Sequence, residues 1–221
     1  MPQPPSPPSS PPSSSPSSAL SGTASKSEIS RPSDPRLLAR IDEAAPLWVF
    51  GYGSLLWNPE FAVAEQVPAL LEDFHRAFCM RSIHHRGSAA EPGLVLALAA
   101  HAGASCEGLA LRAADGTEAA TLQALREREL VSSAYVECLV PLALSDGRQV
   151  TALAYVIEPD HPQYCGGLAL EEQAQIIARA VGGRGPNTEY LFNTVAHLGE
   201  LGVQDGELDW LAERVRRLVA G

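Results

Sequence analysis

The sequence predicts an α+β domain built on an antiparallel sheet. Most strand-like apolar runs precede most helix-like ones, neighbouring strand-like runs are joined by short Gly-, Ser- or Pro-containing connections instead of helices, and the last third is periodic at helical spacing. The 221 residues, 45% of them hydrophobic, suffice for one buried core plus a tail. The strand count is also compatible with closure into a small barrel, which periodicity alone leaves open.

Residues 1–35 are dominated by Pro and Ser, with almost no aromatic or branched apolar side chains. Such a stretch cannot bury enough surface to offset chain entropy and is expected to be a disordered tail, leaving 36–221 as the domain. Residues 36–41, with Leu37, Leu38 and Ile41, read as a short lead-in packing on that domain.

The organising stretch is LWVFGYGSLLW, residues 47–57. Leu47, Trp48, Val49 and Phe50 have the pattern of a buried strand that stops at Gly51-Tyr52-Gly53-Ser54. Glycines at 51 and 53 free the backbone and remove side chains that would keep a ligand from the main chain. Successive N–H groups there could hold a carboxylate or a developing oxyanion. An ordinary turn remains the alternative. A dinucleotide fingerprint would need a third glycine where Leu56 stands, and a phosphate loop would need Gly-Lys-Ser/Thr.

Further along, residues 70–83 mix apolar and polar side chains, with HRAFCMRSI (75–83) alternating as a strand, and 84–93 (HHRGSAAEPG) form a loop. Residues 94–99 and 108–111 read as two more strands, separated by a Gly-containing connection at 101–105. Asp115 and Glu118 resemble a capping box opening a helix that runs to about Glu129. Residues 135–144 and 149–157 are strands flanking Ser-Asp-Gly-Arg, a hairpin signal. Helices follow at 169–181, 187–202 and 205–219, with glycines at 182, 183 and 202 between them.

A formal charge of −10 argues against a broad nucleic-acid or anionic-membrane surface and favours a small-molecule partner. No apolar run approaches the ~20 residues that cross a bilayer, and the N-terminus lacks the build of a secretory signal, so a cytoplasmic location is expected. Cys79, Cys106, Cys138 and Cys165 show no zinc-like spacing. They read as small buried hydrophobes, except Cys165, which is expected to be accessible and leaves a catalytic thiol as a minor alternative.

Glu129 stands out. On the helix it falls over Leu122 and Leu125, because seven residues make nearly two turns, whereas Glu127 points away. A carboxylate on the core-facing side has its pKa raised by burial, which suits a general base that must later release its proton. The alternative is that the helix ends earlier, or that Arg126 or Arg128 folds back to neutralise it. Tyr155, inside the apolar run LAYVI, reads first as a core ring whose hydroxyl seeks one partner. Whether Tyr135 or Arg81 meets a substrate stays open.

Taken in order, VFGYGSLLW, RSIHHRG, PGLVL, RELVSSAY, ALAYV and GPNTEYL resemble the ChaC-like γ-glutamylcyclotransferases from about residue 47 to the C-terminus. The resemblance implies a small, mostly antiparallel β-barrel with surrounding helices. It also implies conversion of glutathione to 5-oxoproline and cysteinylglycine, with no cofactor and no metal. It assigns the γ-glutamyl site to Phe50, Gly51, Tyr52, Gly53, Ser54 and Leu55, and the proton acceptor to Glu129, since Arg128-Glu129 with Tyr135 six residues on fits the family's motif and Arg126-Glu127 does not. More loosely, related cyclotransferases outside that group place a substrate-contacting tyrosine at Tyr155. The departure at Ile83-His84-His85-Arg86 leaves the recognition role of that loop unassigned.

Overall fold

The computed structural model describes residues 46–221; the expected tail and lead-in lie outside them. Five strands close a barrel: β1 (Trp48–Gly51), β2 (Val63–Ser82), β3 (Gly93–Ala113), β4 (Tyr135–Leu144) and β5 (Gln149–Ile157), in the order β1-β3-β2-β4-β5. Closure comes through β1, which runs antiparallel to β3 and touches β5 in parallel at Val49–Leu153. Every residue of β1 is buried, as its unbroken apolar run requires.

The β2–β3 pair is a long bulged hairpin, and here the structure corrects the sequence expectation: residues 94–99 and 108–111 belong to one continuous strand. Gly103, at φ +80, does not end it, because its amide donates to Asp73 Oδ1 at 2.8 Å where Asp73 itself takes φ +63. The register shifts between Glu72 and Phe74 absorb the extra residues as an irregularity, so a turn-like sequence becomes a bulge. The β4–β5 hairpin has the expected bounds, and Gly147 adopts φ +90 in its turn.

Helix α1 (Glu118–Glu129) follows β3 and buries Thr121, Leu122 and Leu125. Its N-cap is Thr117, whose hydroxyl donates to the Ala114 carbonyl at 2.7 Å, so the Asp115 capping box does not form. Helices α2 (Leu170–Arg179), α3 (Asn187–Glu200) and α4 (Gly206–Ala220) pack together at one side, burying Ile177, Leu191, Leu198, Leu211 and Val215 with Phe78, Leu94 and Leu96 of the barrel. Helix α2 stops two residues before the expected 181, because Val181–Gly182 (β6) pairs with Gly185–Pro186 (β7) in a two-stranded clip. Buried Asn187 ties α3 to the barrel: its Oδ1 accepts the Leu94 amide at 2.6 Å and its Nδ2 donates to the Leu94 carbonyl at 2.7 Å.

Candidate active site

The chain after β1 turns once as a 3-10 helix over Ser54–Leu56, closed by Leu56 N–H to Gly53 O at 2.9 Å. A single turn leaves its leading amides without internal partners. Those of Gly53, Ser54 and Leu55 meet no protein acceptor among the described residues. Arg76, its side chain 5% exposed, fixes the loop by donating to the carbonyls of Tyr52 at 3.2 Å and Glu107 at 2.9 Å.

These residues form one wall of a cavity. Tyr52, Gly53, Ser54 and Leu55 line it, as do Tyr135, Tyr155 and, at the end of α1, Glu129. Phe50 and Gly51, the first two residues of the set expected from resemblance, lie outside that wall. Phe50 is fully buried, its ring centroid 6.1 Å from that of Tyr52, in a core cluster with Leu98 and Val136. Gly51 is still in the strand, paired with Leu109. Arg81 is also absent from the wall; its backbone is paired with Gln163.

Glu129 has an 18% exposed side chain, whereas Glu127 is exposed and accepts from Gln123 at 2.9 Å. Burial raises the Glu129 carboxyl above its ordinary value. Arg128, whose Nε lies 2.9 Å from Oε1, opposes that rise without cancelling it. The arginine does fold back, but the carboxyl stays elevated. Arg128 also donates to Ser54 Oγ at 2.7 Å and to the Asn58 carbonyl at 2.6 Å, so it joins the end of α1 to the loop after β1.

The tyrosines divide by what their hydroxyls touch. Tyr52 donates to the Tyr155 carbonyl at 2.9 Å and Tyr135 to the Leu96 carbonyl at 3.1 Å. Burial, followed for Tyr52 by the Glu129 charge and for Tyr135 by Tyr52 and then Glu129, holds both phenols neutral well above their usual range. Tyr155 donates to Glu137 Oε1 at 3.1 Å, and the fully buried Glu137 also receives a bidentate Arg126 at 2.8–3.1 Å. The Tyr155 hydroxyl is thus committed to a buried ion pair, as the core reading of that residue anticipates. Tyr190, which the sequence reading did not single out, is a fourth wall: a Cβ on Gly53 would lie 3.2 Å from its hydroxyl. Its only signal was its place in GPNTEYL.

Cys79, Cys106 and Cys138 are buried, and half-buried Cys165 lies outside the cavity wall. Burial pushes Cys79 to about 12 and Cys106 to about 11, and raises Cys165 as well, outweighing the Arg76 and Arg81 charges that oppose it at Cys106 and Cys165, so none of these three thiols has the lowered pKa of an activated nucleophile. Among the described residues no helix is long and apolar enough to cross a membrane.

The fold and this wall define a class: a small closed barrel whose first strand ends in a bare-backbone loop facing one elevated carboxyl. Residues 47–218 match the ChaC-like protein family, and the chain belongs to it. The glutathione-specific γ-glutamylcyclotransferase of Escherichia coli K12 is 39% identical over 184 residues, 83% of this chain and 78% of that protein. The γ-glutamylcyclotransferase 2-3 of Arabidopsis thaliana is 32% identical over 180 residues, 79% of this chain and 90% of its own. The crystal structure of a glutathione-specific γ-glutamylcyclotransferase from yeast superposes with a TM-score of 0.72 at 22% identity, covering 79% of this chain and 97% of that one; it has the same fold.

Proposed function

We propose that this protein is a glutathione-specific γ-glutamylcyclotransferase. Glu129 carries the reading: a carboxyl raised by burial, on the same cavity wall as the unpartnered amides of residues 53–55. The relatives' names supply the substrate. The α-ammonium of the γ-glutamyl group gives a proton to Glu129, and the freed amine attacks its own γ-carbonyl carbon. The tetrahedral intermediate collapses with cleavage of the C–N bond to cysteine: Glu129 returns the first proton to the departing nitrogen and takes the second from the ring nitrogen, which becomes the neutral lactam N–H, and that second proton passes to the cysteinyl amine, which leaves as an ammonium. The products are 5-oxoproline and cysteinylglycine.

Attack within one molecule makes proximity the main requirement, so no enzyme nucleophile or cofactor enters the scheme. The amides of Gly53, Ser54 and Leu55 hold the γ-glutamyl head folded and stabilise the tetrahedral oxygen; loss of one such donor costs about 10²–10³ in rate. Tyr52, Tyr135 and the ring of Tyr155 shape the pocket around it. The test is release of 5-oxoproline from glutathione by purified protein, with other γ-glutamyl peptides and amines alongside. Release from glutathione that stops in Glu129→Gln supports the reading; no release from glutathione refutes it.

A further inference from the structure

The same cavity carries a second group of residues, most of which the ring-closing chemistry does not use. Its wall includes five basic side chains, His84, His85, Arg86, Arg128 and Arg184, in a protein of formal charge −10. Two of them are committed elsewhere. Arg128, 8% exposed, serves Ser54, Asn58, Glu60 and Glu129. Arg86, 12% exposed, donates to the Pro186 carbonyl at 3.1 Å, lies 3.7 Å from Glu189 and sits over the Tyr190 ring.

Arg184 differs. Its side chain is 49% exposed, and its one ion pair among the described residues is a long one, 3.9 Å to Glu60, which is itself 41% exposed. Its backbone nevertheless has a fixed place at the tip of the β6–β7 clip. The Arg184 amide donates to the His85 carbonyl at 2.9 Å, and the Gly183 amide to the His84 carbonyl at 2.8 Å. Contact is close enough that a Cβ on Gly182 would fall 2.4 Å from the Gly87 nitrogen. The clip therefore presents an underused guanidinium beside two imidazoles at the cavity's solvent side. His85, lowered by burial and then by the Arg184 charge, stays neutral there and can donate one N–H.

We propose that Arg184, with His84 and His85 beside it, binds the carboxylate at the far end of the substrate, the glycyl carboxylate of glutathione. The placement follows from exposure. The reacting γ-carbonyl belongs next to Glu129, 18% exposed, and against buried Tyr52 and Leu55, so the trailing end of the tripeptide runs toward solvent, where Arg184 stands. A planar guanidinium suits a terminal carboxylate, and the long Glu60 contact is one that a carboxylate can displace. The assignment rests on the cyclotransferase reading and makes residues 84, 85 and 184 determinants of specificity.

The test compares glutathione with its glycyl monoethyl ester, which keeps the γ-glutamyl head and lacks the terminal charge. Binding is measured by calorimetry in a Glu129→Gln background, so that neither ligand is consumed, with and without Arg184→Ala. The expected result is that Arg184→Ala weakens glutathione on the order of tenfold, leaves the ester unchanged, and leaves Tm unchanged; Arg184→Lys restores part of the loss. Equal weakening of both ligands would place Arg184 at the γ-glutamyl head, and no weakening of either would remove it from the site; both overturn the proposal. Turnover of glutathione by the unaltered protein, assayed separately, tests the underlying activity, so the two failures are distinguishable.

Discussion

Glu129→Gln separates the two consequences of burying one carboxyl. The side chain keeps its shape and can still accept from Arg128, now 2.9 Å from Oε1, but it can no longer take a proton from the substrate amine. A general base contributes about 10²–10⁴ in rate, so 5-oxoproline release should fall by that factor, about 2.7–5.5 kcal/mol of barrier. Stability should move the other way. The folded carboxyl is raised, first by burial, above its unfolded value. Between those two values the native state holds a proton that the unfolded chain has lost, so native stability falls as pH rises through that window, and the penalty persists above it. The substituted amide has no charge to bury. The variant should melt above the parent at neutral pH, with the difference vanishing in acid below both values. Calorimetric melts at several pH values, beside a product assay, measure both. A variant that keeps parental turnover, or that melts lower at neutral pH, refutes the reasoning.

The same elevation sets the pH profile. The acid limb of kcat/KM for the parent should lie above the ordinary carboxyl range, with rate lost as pH falls through it, and a limb at the ordinary carboxylate value would contradict the burial argument. Glu137→Leu should lower Tm by removing the bidentate pair with Arg126 and leaving the Tyr155 hydroxyl without its acceptor; the lost acceptor alone costs about 1–3 kcal/mol, about 2–12 °C at 2–4 °C per kcal/mol. Adding Arg126→Leu should recover part of that in thermal melts. Iodoacetamide at neutral pH should leave most turnover intact, because every thiol whose titration is perturbed is raised; rapid loss in step with thiol labelling would revive a cysteine mechanism.

What the sequence made legible was local. Strands β4 and β5 could be bounded because Ser-Asp-Gly-Arg is a turn by its own chemistry, and Gly147 takes the positive φ that such a turn needs. Residues 101–105 carried a similar signal and misled, because what keeps them extended is Asp73, 30 residues back, catching the Gly103 amide. Pairing partners at that separation leave no trace in a local pattern. Tyr190 and Arg184 were hidden for the same reason: one lies on α3, the other on a two-residue-strand clip, and only tertiary packing brings them to the loop after β1.

Glu129 was legible, and its case shows why a choice between ion pair and catalytic group was posed too sharply. Helical spacing put it with Leu122 and Leu125, and Arg128 was an obvious neutraliser one residue away. Yet Arg128 reaches Ser54, the Asn58 carbonyl and Glu60 as well as Glu129. Burial is the largest influence on Glu129, and the Glu60 carboxylate on the same guanidinium adds to the rise that Arg128 opposes, so desolvation still sets the sign of the Glu129 shift. Those contacts tie Glu129 to the loop after β1. In the mechanism proposed above, Arg128 is a positioning residue that holds Glu129 against the loop while burial keeps its carboxyl raised, and sequence spacing alone could indicate only the second half of that arrangement.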